Sequence, residues 1–121
     1  MLAAFLFIFI IFGNMYYKEN ELLSLIKTQV SHKDPDAEIV LFGSRARGDA
    51  KIESDWDILI LLNVESVSRQ MEKMFREAIF EVELQTGEGI STFVFSKNEW
   101  DNKHAHTPFY ENIKREGVLI S

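Results

Sequence analysis

In KENELLSLIKTQV, residues 18–30, the apolar positions Leu22, Leu23, Leu25, Ile26 and Val30 fall on one helical stripe, with charges opposite. SHKDPD (31–36) reads as a turn broken by Pro35. EIVLF (38–42) predicts a short buried strand, and GSRARGDAKIES (43–54) a glycine-punctuated loop. DWDILILLN (55–63) is apolar on both faces after Asp57, as a central strand covered on both sides should be. Ser66 is placed to cap a long helix reaching about Thr86. Along it Met71, Met74, Phe75, Ala78, Ile79 and Val82 recur at spacings of three and four. Gly87 and Gly89 end that helix.

GISTFVFS (89–96) predicts a third strand, and SKNEW begins a short polar helical turn. Thr107 caps, and Pro108 suits the first position of, the helix PFYENIKRE, which stops at Gly117; Val118–Ile120 forms a small terminal strand. This order predicts an α+β fold, a small mixed β-sheet with helices packed on it. There is no internal repeat, low-complexity tract or linker.

Leu2–Phe12 is an unbroken apolar run, followed by Gly13-Asn14. It is too short to cross a hydrocarbon core of about 30 Å as a helix. It also lacks the basic flank and small-residue cleavage site of a signal peptide. Three readings of residues 1–15 stand: a stretch upstream of a natural start at Met15, an apolar arm packing on this domain or a partner, or a weak membrane anchor. The folded domain is predicted over 16–121, with no membrane span.

The 121 residues are 46% hydrophobic and 12% aromatic, enough for one core and one domain. With no cysteine, disulfides and thiolate metal sites are excluded, and a reducing cytoplasm suits the chain. A net charge of −6 argues against a protein that tracks long nucleic acids, which needs a basic face. A small nucleotide is the better phosphate-bearing partner.

Asp55 and Asp57 carry the candidate chemistry. At i and i+2 of a strand they point to one face, where two carboxylates repel unless a cation lies between them. Oxygen-only ligation selects a hard ion, Mg²⁺ or Mn²⁺, with water and substrate phosphates filling its other positions. Gly43 and Ser44 end the preceding strand as a phosphate cradle, glycine admitting the phosphate to the backbone and serine adding a hydroxyl. Arg45 and Arg47 are placed to hold phosphate oxygens, and Gly48 to turn the chain back. Ser54 is expected to fix Asp55 through a local bond. Together these are the parts of phosphoryl or nucleotidyl transfer.

The pattern of Gly43, Ser44, Ala46, Arg47 and Gly48, then Ser54, Asp55 and Asp57 before an apolar run, resembles the DNA polymerase beta-like nucleotidyltransferase superfamily. The compact length resembles its minimal nucleotidyltransferase (MNT) branch. The resemblance implies a palm-like sheet binding a nucleoside triphosphate, with ATP the expected donor. Asp55 and Asp57 would hold the divalent ions, and transfer of the nucleoside monophosphate would release pyrophosphate. It further implies a HEPN-domain partner, because some MNT proteins act as antitoxins by transferring AMP to a tyrosine of such a toxin. A homo-oligomer is among the assemblies the sequence allows.

The sequence departs from the superfamily where a third carboxylate is usual, on the strand after the long helix. Residues 89–96 offer Ser91 and Thr92 there, with Glu83 and Glu88 upstream. The alternative function is therefore a weakly active or inactive module that binds nucleotide or a partner. A transferase acting on antibiotics usually needs a longer chain. His104 and His106 read as loop residues, since no acidic or cysteine partner completes a zinc set. Met71 and Met74 read as core filler, and Trp100, Phe109 and Tyr110 as packing groups. Lys114, Arg115 and Glu116 read as a solvated helix end.

Overall fold

The computed structural model describes residues 19–121, so the apolar run and the whole of the predicted arm, residues 1–15, lie outside the described residues. Helix α1 (19–33) comes first, followed by β1 (Glu38–Phe42), a one-turn helix α2 (Ser44–Arg47) and β2 (Trp56–Leu62). Then come α3 (Arg69–Thr86), β3 (Ile90–Ser96), α4 (Lys97–Asn102), α5 (Pro108–Glu116) and β4 (Val118–Leu119). The sheet order is β3-β2-β1-β4; β1 runs antiparallel to both β2 and β4, and β2 parallel to β3. This is the predicted α+β fold with a small mixed sheet.

Alternation along β2 sorts the core into two layers. Trp56, Ile58, Ile60 and Leu62 face α1 and α3, where Leu22, Ile26, Val30, Phe75, Ile79 and Val82 meet them. Leu59 and Leu61 face the other way, onto Trp100 of α4 and Ile113 of α5. Ile58, Ile60 and Leu62 are fully buried, each contributing about 1.5–3 kcal/mol through removal from water. Both faces of β2 are thus covered except at its first residues. There Asp57, on the α4/α5 face, interrupts the apolar series and remains half-buried.

Two helix ends and one loop differ from expectation. Helix α1 runs through Ser31, His32 and Lys33 instead of turning there; Pro35 then blocks continuation, and the Asp34 N–H closes the last turn on the Val30 carbonyl at 2.9 Å. Helix α3 starts two residues later than predicted, because Ser68 and not Ser66 accepts the Met71 N–H at 3.1 Å. The predicted 43–54 loop contains the helical turn α2. Other caps fall as expected: Thr107 accepts from Tyr110 N–H with Pro108 at the first position of α5, and Gly87 closes α3 in the left-handed conformation.

Met71 and Met74 are partly buried against the α1/α3 core, as expected of filler. Trp100, Phe109 and Tyr110 are likewise packing groups, joined with Phe42, Phe93 and Phe95 in an aromatic layer. His104 lies in the turn after α4, its ring 4.9 Å from that of Phe95, and His106 is exposed.

Candidate functional site

The β1–β2 register brings Phe42 opposite Asp57, so Gly43 begins its turn directly beside the carboxylate strand. Gly43 has φ 73° and ψ −159°, a region only glycine occupies readily. A Cβ there would fall inside the contact distance of Asp57 Oδ2. Gly89, at the entry to β3, stands in the same relation to Asp55: an added Cβ would collide with Asp55 Oδ1. Each carboxylate therefore packs against the backbone of a glycine, one just after β1 and one just before β3. The sequence marks Gly89 as a helix stop and the start of a strand; its pairing with Asp55 arises from the parallel β2–β3 register and has no local sequence signal.

Asp55 is exposed and Asp57 half-buried. Burial, then the Asp55 charge, pushes the Asp57 carboxyl above its ordinary range; Glu116 adds to this and Arg47 partly offsets it. A carboxylate so placed gains from a cation more than a solvated one does. The chemistry of the pair fits a hard divalent ion: only oxygen donors, a shared strand face and like charges in need of neutralisation. Among the described residues, no group of three or more His, Asp or Glu side chains is assembled to hold a metal. Ser91 pairs with Asp57 across β3, and Thr92 is buried on the opposite face of the sheet. Of the upstream acids, Glu83 accepts the Ile90 N–H at 3.2 Å.

Gly43, Ser44 and the two arginines belong to one turn but face different ways. Ser44 opens α2, and its carbonyl accepts the N–H groups of Gly48 and Asp49. Arg47 points to α5, with its Nη1 3.2 and 3.1 Å from Glu116 Oε1 and Oε2 and its Nε 3.3 Å from Asp49. The Gly43 N–H also donates to Glu116 Oε1, at 3.2 Å. Glu116 is not the solvated helix end expected from sequence: its side chain is 16% exposed and bridges α5 to the glycine turn. Lys114 and Arg115 are exposed as expected.

Arg45 turns toward the α1/α3 layer. Its Nη2 donates to the Ser54 and Ile52 carbonyls at 3.0 and 3.2 Å, and its guanidinium carbon lies 4.7 Å from the centre of the Trp56 ring. It thus staples the 48–55 loop to α2 and holds the loop that delivers Asp55. Ser54 differs from expectation: its Oγ accepts the Lys51 N–H at 2.9 Å and closes the 51–54 turn. Truncating Arg45 to alanine should cost about 2 kcal/mol, since it strips two carbonyls of a charged donor and uncovers an indole. Chemical denaturation measures this, and a change under 0.5 kcal/mol would mean the staple is dispensable.

A groove of about 690 Å³ lies elsewhere, between α3 and the β3 edge, with Arg76, Phe80, Ile90 and Thr92 in its lining.

The mixed sheet thus brings the Gly43-Ser44 turn at the end of β1 beside Asp57 of β2 and Asp55 just before it. The chain belongs to the nucleotidyltransferase domain family, of the polymerase beta-like kind, whose model matches residues 23–120. Among solved structures it is similar to a crystal structure of a toxin-antitoxin with AMP-PNP, at 17% identity and a TM-score of 0.61. That match covers 82% of this chain and 72% of the other, and at such identity it shows the shared fold. Comparison with curated proteins gives no match. Among the described residues, no helix is long and apolar enough to cross a membrane.

Proposed function

We propose that the protein transfers a nucleoside monophosphate, AMP from ATP as the expected donor, to a hydroxyl on a protein or small molecule. The carrying observation is the Asp55–Asp57 pair, seated on Gly89 and Gly43 beside Arg47. In this reading Asp55 and Asp57 hold Mg²⁺ or Mn²⁺, which supplies charge neutralisation at the phosphates and lowers the acceptor's proton affinity. Gly43, Ser44 and Arg47 hold the triphosphate, while Arg45 acts by fixing the loop. The acceptor oxygen bonds to the α-phosphorus, the bond to the bridging oxygen breaks, and pyrophosphate leaves with that electron pair. The hydroxyl proton passes to water as the new bond forms, so that Asp55 and Asp57 remain ionised as metal ligands. The expected setting is the cytoplasm, with a HEPN-domain protein as the acceptor and partner.

A second reading draws on Ser91, which stands beside Asp57 where a further carboxylate would complete the ligand set. A two-carboxylate site binds metal and nucleotide but transfers slowly, leaving an antitoxin-like module that works by binding its partner.

Incubation with α-labelled ATP, Mg²⁺ and a HEPN-domain protein encoded beside it separates the two. Transfer of label, reduced about 100-fold or more in Asp55→Ala and Asp57→Ala, is the expected result. No transfer, with partner binding intact in both variants, would decide for the binding module.

A further inference from the structure

Two of the donors assigned above to the triphosphate, the Gly43 N–H and Arg47, are already engaged by an anion of the protein itself. Glu116 accepts from the Gly43 N–H and from Arg47 through both its oxygens, all at 3.1–3.2 Å. A carboxylate taking a backbone N–H and a guanidinium together makes the contacts that two phosphate oxygens would make. Its position is built into the fold. Glu116 is the last residue of α5, and the pairing of Val118 with Leu41 sets it alongside the end of β1. In the ligand-free protein this leaves neither Arg47 nor the Gly43 N–H without a partner. It also places a third negative charge near Asp55 and Asp57, where an incoming triphosphate would meet it.

Resting on the nucleotide reading above, we infer that Glu116 is the resident anion of the Gly43–Arg47 cradle, displaced when a triphosphate binds. It thereby sets both affinity and selectivity. The contacts Glu116 gives up are subtracted from the binding free energy. A ligand without a multiply charged phosphate chain, such as a nucleoside, has nothing to offer Arg47 in exchange and leaves the carboxylate in place.

Calorimetric titration of the full chain with sodium tripolyphosphate, and separately with Mg²⁺ and AMP-PNP, tests this in the wild type, Glu116→Gln and Arg47→Ala. Glutamine keeps the length and one acceptor oxygen but removes the charge. Glu116→Gln is expected to bind tripolyphosphate about tenfold tighter than the wild type, and Arg47→Ala more weakly. Equal or weaker binding by Glu116→Gln, in a variant that melts cooperatively, overturns the inference. Should that variant not fold, NMR of the wild type decides: the Glu116 carboxyl carbon and the Gly43 amide should shift with one half-saturation point. A Glu116 signal unmoved at saturation overturns the inference. Wild-type binding unaltered in Glu116→Gln defeats the displacement alone, whereas no binding by any form at millimolar ligand defeats the nucleotide reading and this inference with it.

Discussion

Gly43→Ala is expected to destabilise the protein by about 3 kcal/mol or more and to weaken nucleotide binding about 100-fold. Two separate penalties combine. The first is conformational: at φ 73° and ψ −159° an L-residue is strained by about 1–3 kcal/mol. The second is steric, because the new methyl would meet Asp57 Oδ2, with Cγ at 3.1 Å and Cβ at 3.4 Å. The Asp57 backbone is held on both sides, by β1 and β3, so the carboxylate can yield only by rotating its side chain. Gly48→Ala supplies the control. Gly48 also has a positive φ, 84°, but an added Cβ there meets nothing within 4 Å, so only the strain of about 1–2 kcal/mol applies. Denaturation of both variants isolates the collision. Equal losses at the two sites would show that Asp57 moves aside freely and that the glycine–carboxylate packing is incidental.

Much of this arrangement was legible in the sequence because it is written locally. The D-x-D spacing fixes two carboxylates on one strand face, and the apolar run after Asp57 marks a strand covered on both sides. Thr107-Pro108 marks the start of α5 by capping chemistry alone. The two arginines could not be separated in the same way. Once residues 44–47 close a helical turn, positions i and i+2 diverge by about 200°, sending Arg45 to Trp56 and Arg47 to Glu116. Read as an open loop, both side chains were free to face a phosphate.

Glu116 and Gly89 were illegible for a different reason. Arg47 and Glu116 are 69 residues apart in sequence, and only the antiparallel return of β4 along β1 brings them together. Locally, KRE before a glycine is an ordinary charged helix end. Gly89 meets Asp55 through a parallel strand register, which no short-range pattern encodes. The sequence points to Ser66 as the α3 cap, whereas the cap is Ser68, whose oxygen reaches Met71 N–H.

Asp57→Asn should stabilise the metal-free protein at neutral pH while removing the proposed transferase activity. Burial and the neighbouring Asp55 hold the Asp57 carboxyl above its ordinary range, so the folded state binds that proton more tightly than the unfolded chain does. The stability this contributes is complete below the unfolded-state pKa and is lost as pH rises through the folded-state pKa. At pH 7 and above the wild type therefore carries an ionised, half-buried carboxylate that the fold disfavours, and asparagine relieves it at nearly equal volume. The melting temperature of Asp57→Asn in EDTA should exceed that of the wild type at pH 8. The gap should narrow as pH falls into the ordinary carboxylate range, where the wild type takes up its proton. A divalent ion reverses the order by stabilising only the chain that keeps both carboxylates, by about 2.7 kcal/mol at a hundredfold excess over its Kd. Because proton and cation compete for Asp57, the increment from Mg²⁺ should grow with pH in the wild type and be small in Asp57→Asn. Transfer activity should fall about 100- to 1,000-fold in the same variant. An Asp57→Asn protein less stable than the wild type in EDTA at pH 8 would show that the carboxylate is held by partners, not strained by burial. Equal stabilisation of both proteins by Mg²⁺ would place the cation elsewhere. The predicted opposition, a residue that weakens the empty fold and is needed by the loaded one, distinguishes a site built for a ligand from one built for stability.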